Sequence, residues 1–245
     1  MNSPCQQSGS SGSLDMPLRI GGLLPMTTLD YPGHLACVLF CQGCAWRCRY
    51  CHNPELIRAR VPTEISWSQV LSFLHKRRDL LEAVVFSGGE ATLQTALPGA
   101  MRTVRELGFK VGLHSAGIKP GAFRRVLPLC DWVGFDVKGL EEDVALITGV
   151  SGSGHANWHS LDLLMESGVA YECRTTVHWQ LFDSQRLQRL AERLAGQGVA
   201  HFVVQLARGH SMLDPTLGAS VAPAEAAQLW PYLEQMFPRF ELRDA

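Results

Sequence analysis

The sequence predicts an α/β fold, a partial (β/α)6 barrel. Three observations lead there: six short apolar segments distributed along the chain, helical patterns between and after them, and cysteine- or glycine-rich turns where the first two segments end. Residues 35–40 form an unbroken apolar run that opens into a cysteine-rich loop. Ser66 then starts a helix reaching Arg77, with Gln69 completing a Ser-x-x-Gln capping box. Residues 83–87 form the second strand, and the next helix stops near Leu107-Gly108, where glycine suits the end of a helix. Strands at 109–114, 132–137, 170–177 and 201–205 follow, with helices near 121–128, 156–167, 184–196 and 223–236. Helical crossovers between apolar strands force parallel pairing, and their right-handed sense winds the sheet one way. A doubly wound open sheet is the alternative. In either, ligands gather at the carboxyl ends of the strands.

With 245 residues and 46% hydrophobic content the chain can bury one large core, so residues 16–245 are expected to form a single domain. The first fifteen residues, MNSPCQQSGSSGSLD, are polar and rich in serine and glycine, the composition of a disordered tail, and Met16 is an alternative start. Cys5, in that tail, has no nearby partner. This stretch lacks the basic start and apolar centre of a signal peptide, and no apolar run is long enough to cross a bilayer. A net charge of -1 without basic excess argues against nucleic acid as the main partner. Eight cysteines are too sparse for a disulfide scaffold, and five of them crowd between positions 37 and 51, which suits a reducing cytoplasm.

Cys44, Cys48 and Cys51 are spaced C-x3-C-x2-C in the run FCQGCAWRCRYCHNP. Three thiolates on one short loop suit an iron–sulfur cluster with one iron left open, whereas a closed zinc site needs a fourth firm ligand. Cys37, Cys41 and Cys44 repeat the spacing one step earlier, but Cys37 and Cys41 fall within or at the end of a buried strand. The later frame is therefore preferred. It also carries an aromatic residue, Tyr50, before its last cysteine, and His52-Asn53-Pro54 after it favours a loop.

The later frame resembles the CxxxCxφC signature of the radical S-adenosylmethionine superfamily, with Tyr50 at the aromatic position. The wider text, GGLLPMTTLDYPGHLACVLFCQGC through CHNPELI, is similar to activating proteins of anaerobic ribonucleoside-triphosphate reductase, relatives of the pyruvate formate-lyase activating enzymes. The resemblance runs along nearly the whole chain. It implies a [4Fe-4S] cluster on Cys44, Cys48 and Cys51, with S-adenosylmethionine chelating the open iron. It further implies reductive cleavage of that cofactor to a 5′-deoxyadenosyl radical, and hydrogen abstraction from a glycine of a partner glycyl-radical enzyme. The electron would come from a low-potential donor such as flavodoxin or ferredoxin.

Other segments at strand ends extend the expected site. Two adjacent glycines let backbone approach a ligand closely. By the resemblance, Gly88, Gly89 and Glu90 hold the methionine amino group; Ala91 replaces the usual following proline, which is expected to loosen that turn. Ser115, in the turn His114-Ser115-Ala116-Gly117, is a candidate cofactor contact. Asp136 and Lys138 share a strand face, Asp136 suited to a cation or ribose and Lys138 to the cofactor carboxylate, or the two to each other. Arg174, in a segment resembling R-T-T-V, has the planar fork that binds both oxygens of a carboxylate. His178 is a proton donor, a substrate contact or a structural hydrogen-bonding residue, and Gln205 and Arg208 close the sixth strand. Asp30-Tyr31-Pro32-Gly33 is expected to run beside the cluster loop and shape its opening. Trp46 and Tyr50 are expected to shield the cluster, with Cys41, Cys130 and Cys173 as packed thiols.

Residues 52–129 contain no cysteine and so no ferredoxin-like insertion, which leaves the barrel mouth open to a protein loop. Activation of another glycyl-radical enzyme, such as pyruvate formate-lyase, is the near alternative. A zinc or redox protein using Cys44, Cys48, Cys51 and His52 or Cys41 is the distant one.

Overall fold

A computed structural model describes residues 18–61, 65–207 and 212–244. The tail expected at 1–15, Cys5, the alternative start Met16 and Arg208 lie outside the described residues.

Eight strands form one sheet in the order in which they occur along the chain. β1 (Ile20–Thr27) pairs antiparallel with β2 (Ala36–Cys41), and every later neighbour is parallel. After β2 come α1 (Trp67–His75), β3 (Ala83–Gly88), α2 (Leu97–Glu106), β4 (Lys110–Ser115) and α3 (Pro120–Val126). β5 (Trp132–Asp136), α4 (Val144–Thr148), α5 (Ser153–Ser167), β6 (Ala170–Val177) and α6 (Ser184–Gly196) follow. β7 (His201–Leu206), α7 (Ala226–Met236) and β8 (Arg239–Asp244) complete the order. The strand order never reverses, so there is no switch point and the doubly wound alternative fails. β2 through α7 make the six expected β/α units, in an open sheet consistent with a partial barrel, with β1 and β8 at its edges.

Three elements escaped the sequence pattern. β1 reads Ile-Gly-Gly-Leu-Leu-Pro-Met-Thr, in which glycines and proline mask the strand, and its pairing with β2 is interrupted by register shifts. β8 is short and charged, and α4 is a five-residue helix ending on Gly149 at φ 68°. By contrast, the capping box is formed: Ser66 Oγ accepts from Gln69 N while Gln69 Oε1 accepts from Ser66 N.

Alternation along the strands separates two faces. Cys37, Leu39, Val84, Phe86, Val111, Leu113, Val133 and Phe135 belong to the main core, which also takes Leu74 of α1, Met101 of α2, Phe123 of α3 and Leu161 of α5. The opposite face begins apolar, with Ala36, Val38, Ala83, Val85 and Trp132 around Tyr31. In β5 to β8 it turns polar and charged: Asp136 pairs with Arg174, Arg243 pairs with Glu172 and Glu241, and His201 is hydrogen-bonded to Glu241.

Tyr31 corrects one expectation. The Asp30–Gly33 segment joins β1 to β2, so it lies at the amino-terminal end of the parallel strands, away from the cysteine loop that follows β2. Pro32 and the positive-φ Gly33 make a tight turn closed by His34 N donating to Tyr31 O (3.1 Å). That turn stacks the Tyr31 ring on Trp132 (centroids 5.2 Å) and packs it against Gly112, where a Cβ would crowd the tyrosine ring. The segment plugs the far end of the sheet's concave face and leaves the mouth to other residues.

Candidate active site

Five consecutive strand ends converge on one cavity. Cys44, Trp46, Cys48, Tyr50, Cys51 and His52 come from the loop after β2, and Ser87 to Glu90 from β3 and the turn beyond it. His114 to Ala116 come from β4, Asp136 and Lys138 from β5 and its end, and Thr176 from β6. Sheet curvature brings together segments far apart in sequence.

The cysteine loop is fastened by backbone bonds to its surroundings. Gly43 N donates to Leu56 O (2.8 Å), Arg47 N to Thr148 O (2.9 Å), Arg49 N to Ile147 O (3.0 Å) and Leu213 N to Cys51 O (3.0 Å). Arg49 also pairs with Asp214 (2.7 Å). Buried Gln42 ties the loop's base by donating to the carbonyls of Glu55 and Arg58, and Gln94 donates to Gln42 O. Sequence reading passed over both glutamines, because nothing local distinguishes them from other polar loop residues.

All seven described cysteines are free; Cys44, Cys48 and Cys51 line this cavity and are partly exposed, whereas Cys37, Cys41, Cys130 and Cys173 are buried. Burial pushes the Cys44 thiol up to about 12 and raises that of Cys48, so these side chains ionise only where positive charge is supplied. That chemistry fits thiolate ligation of a metal cluster. Trp46 and Tyr50, each 3% exposed, wall the cavity, and the Tyr50 hydroxyl is buried without a hydrogen-bond partner among the described residues.

The glycine pair is dictated by close backbone packing. Gly88 has φ 112°, and a Cβ there would overlap the backbone of Cys41; one on Gly89 would overlap the Gly43 carbonyl. Glu90 is 2% exposed, and its carboxylate accepts from Thr92 Oγ1 (2.6 Å), Ser115 Oγ (2.7 Å) and Ala116 N (3.1 Å). Burial raises its pKa against those hydrogen bonds. The same carboxylate caps the 3-10 turn that begins at Ala91, so the turn expected to loosen without proline is fastened by a side chain.

Asp136 and Lys138 stand side by side, Lys138 Nζ donating to Asp136 Oδ2 (3.1 Å). Burial alone raises the Asp136 carboxyl, but Lys138 and Arg174 outweigh it and hold the group at about 2. Arg174 departs from expectation. It is 7% exposed and does not line the cavity; Nε donates to Asp136 Oδ1 (3.1 Å) and Nη2 to Gly134 O (3.0 Å). Gly134 explains the placement, since a Cβ there would strike the guanidinium. Burial, then Arg174, holds His114 neutral with a pKa of about 3. His178 is fully buried, and its Nδ1 accepts from Gln180 N (3.3 Å). Its Nε2 then carries the proton and donates to Gly218 O (3.1 Å), so the ring pins the segment that passes over the cysteine loop. Gln205 lies in β7 and does not line the cavity.

Several known proteins are similar to this chain. A protein of Methanocaldococcus jannaschii named as a glycyl-radical enzyme activating enzyme is 28% identical over 72% of this chain and 75% of its own. The pyruvate formate-lyase-activating enzyme of Clostridium pasteurianum is 30% identical over 71% of this chain and 74% of its own. Among solved structures, QueE from Escherichia coli superposes with TM-score 0.53 at 15% identity, over 93% of this chain and 94% of that one. SuiB from Streptococcus suis gives 0.60 at 14% identity over 83% of this chain, which spans about half of SuiB (47%). These two likenesses concern the fold. The Radical SAM superfamily matches residues 38–185. That span runs from the strand carrying the cysteine loop into the helix after β6 and takes in every strand end around the cavity; the chain belongs to the radical SAM superfamily.

Proposed function

We propose that this chain activates anaerobic ribonucleoside-triphosphate reductase by installing a radical on a glycine of that enzyme. At the coarser level, the chain is a radical SAM activating enzyme of the glycyl-radical type, with a [4Fe-4S] cluster and S-adenosylmethionine as cofactors. One observation carries the reading: the loop bearing Cys44, Cys48 and Cys51 faces the Gly88–Glu90 turn across a single cavity. The choice of reductase rests on the text from Gly21 to Ile57. Similarity to the Clostridium enzyme favours a second reading, in which pyruvate formate-lyase is the target.

In this assignment Cys44, Cys48 and Cys51 hold the cluster. Gly88 and Gly89 present backbone to the cofactor's amino group, and Glu90 fixes that turn against Ser115 and Ala116. Lys138 offers its ammonium to a carboxylate while Asp136, held charged, orients it; Arg174 acts from behind by holding Asp136. When bound, cluster and cofactor supply one-electron reductive cleavage of a sulfonium and hydrogen abstraction from glycine, the electron coming from a donor of the flavodoxin or ferredoxin class. Trp46 and Tyr50 exclude water from the cavity wall. No residue here has to move a proton, which agrees with a neutral His114 and a His178 committed to Gly218.

The test is electron paramagnetic resonance of the anaerobically reconstituted, reduced protein, with S-adenosylmethionine and then each candidate glycyl enzyme. A cluster signal altered by the cofactor, followed by a glycyl doublet on the ribonucleotide reductase, is expected. A doublet on pyruvate formate-lyase alone transfers the assignment to the second reading, and absence of a reducible cluster refutes both.

A further inference from the structure

Asn157 belongs to α5, outside the cavity, and is fully buried. Its amide bonds to three backbone groups, all on the two neighbouring strand ends. Nδ2 donates to Ala116 O (2.8 Å) and to Asp136 O (2.9 Å), while Oδ1 accepts from Lys138 N (3.0 Å). Both amide hydrogens are thereby used. The location explains the need. The β4–β5 ladder ends at the Ser115–Phe135 pair, so beyond it no strand pairing sets the distance between the two chains. Asn157 replaces the missing rung at the level where Ala116, Asp136 and Lys138 face the cavity. Ser160, one turn further along α5, adds a bond from Oγ to Gly117 O (2.7 Å). On the other side Ala116 N reaches Glu90, so hydrogen bonds run from the β3 turn through β4 to Asn157 and the end of β5.

We infer that Asn157 is a positioning residue: it sets the spacing between the β4 turn and Lys138, and with it the fit of S-adenosylmethionine. This rests on the cofactor site proposed above. Among the described residues Asn157 has no hydrogen bond to the cysteine loop, so cofactor affinity and iron content are read as separate quantities. A buried side chain that orients others commonly changes affinity through them, because a small shift of strand ends misaligns several polar contacts at once.

Asn157→Asp is the deciding variant. It keeps the size of the side chain but sets an oxygen against the carbonyls of Ala116 and Asp136. Asn157→Ala accompanies it, leaving the same groups unpaired. The full chain is reconstituted anaerobically, and iron content, thermal midpoint and S-adenosylmethionine dissociation constant are measured. Both variants are expected to keep wild-type iron and cluster absorption. In Asn157→Asp the dissociation constant is expected to rise about 10-fold to 100-fold, with the cofactor's effect on the cluster signal appearing only at correspondingly higher concentration. An Asn157→Asp protein with a lowered midpoint but an unchanged dissociation constant overturns the inference. Failure of that variant to fold also overturns it, because the residue then serves the fold as a whole. A wild-type protein that holds its cluster but does not bind S-adenosylmethionine refutes the cofactor reading itself, a separate outcome.

Discussion

Asp136 shows how a single residue acquires its state from two neighbours, one two positions along the chain and one brought to it by the adjoining strand. Burial works against its charge, and two cations reverse the outcome, one from its own strand end and one from β6. A carboxyl depressed to about 2 contributes stability above its unfolded pKa of about 3.9, and that contribution is lost as pH falls toward and through 2. Unfolding of the wild type is therefore expected to steepen between about pH 4 and pH 2, followed by circular dichroism, and Asp136→Asn is expected to lack that component. Cysteines give the second test at this scale. Cys44→Ala, Cys48→Ala and Cys51→Ala are each expected to abolish a stable cluster, measured as bound iron, whereas Cys37→Ala, buried in the core, is expected to retain it.

At the scale of elements, contrasting substitutions separate local stability from site geometry. Ser66 caps α1 and does not line the cavity, and Ser66→Ala is expected to cost about 1 kcal/mol in chemical denaturation with cofactor affinity unchanged. Gly88→Ala meets both an unfavourable φ and the Cys41 backbone, so it is expected to cost about 1–3 kcal/mol from strain alone and to weaken S-adenosylmethionine binding as well. The sequence motif at Gly88–Glu90 was legible because it is contiguous and ends a strand. The roles of its members were less so. Besides any ligand, the glycines admit the end of β2 and the start of the cysteine loop, and the glutamate braces adjoining turns.

Over the whole molecule, the ends of the open sheet are managed differently. β1 turns back antiparallel on β2, while β8 is tied inward through Arg243, which donates to both oxygens of Glu172 on β6 (2.9 and 3.0 Å). Glu172 is 1% exposed, and Arg243→Ala would leave it the more distant His201 Nε2 (3.8 Å) in place of two hydrogen bonds, so the change is expected to cost about 3 kcal/mol, read from denaturant midpoints. Strands β2 to β7 and the main helices could be read from the chain because apolar runs and capping signals are properties of neighbouring residues. β1, α4 and β8 could not, since their positions are set by pairing and packing with distant segments. The sequence by itself determined the parallel α/β plan and the cysteine and glycine motifs at successive strand ends. Only the tertiary structure decided that Arg174 braces Asp136, that Tyr31 closes the far end and that Asn157 spans two strand ends, because each depends on contacts made across the curved sheet or beneath a helix.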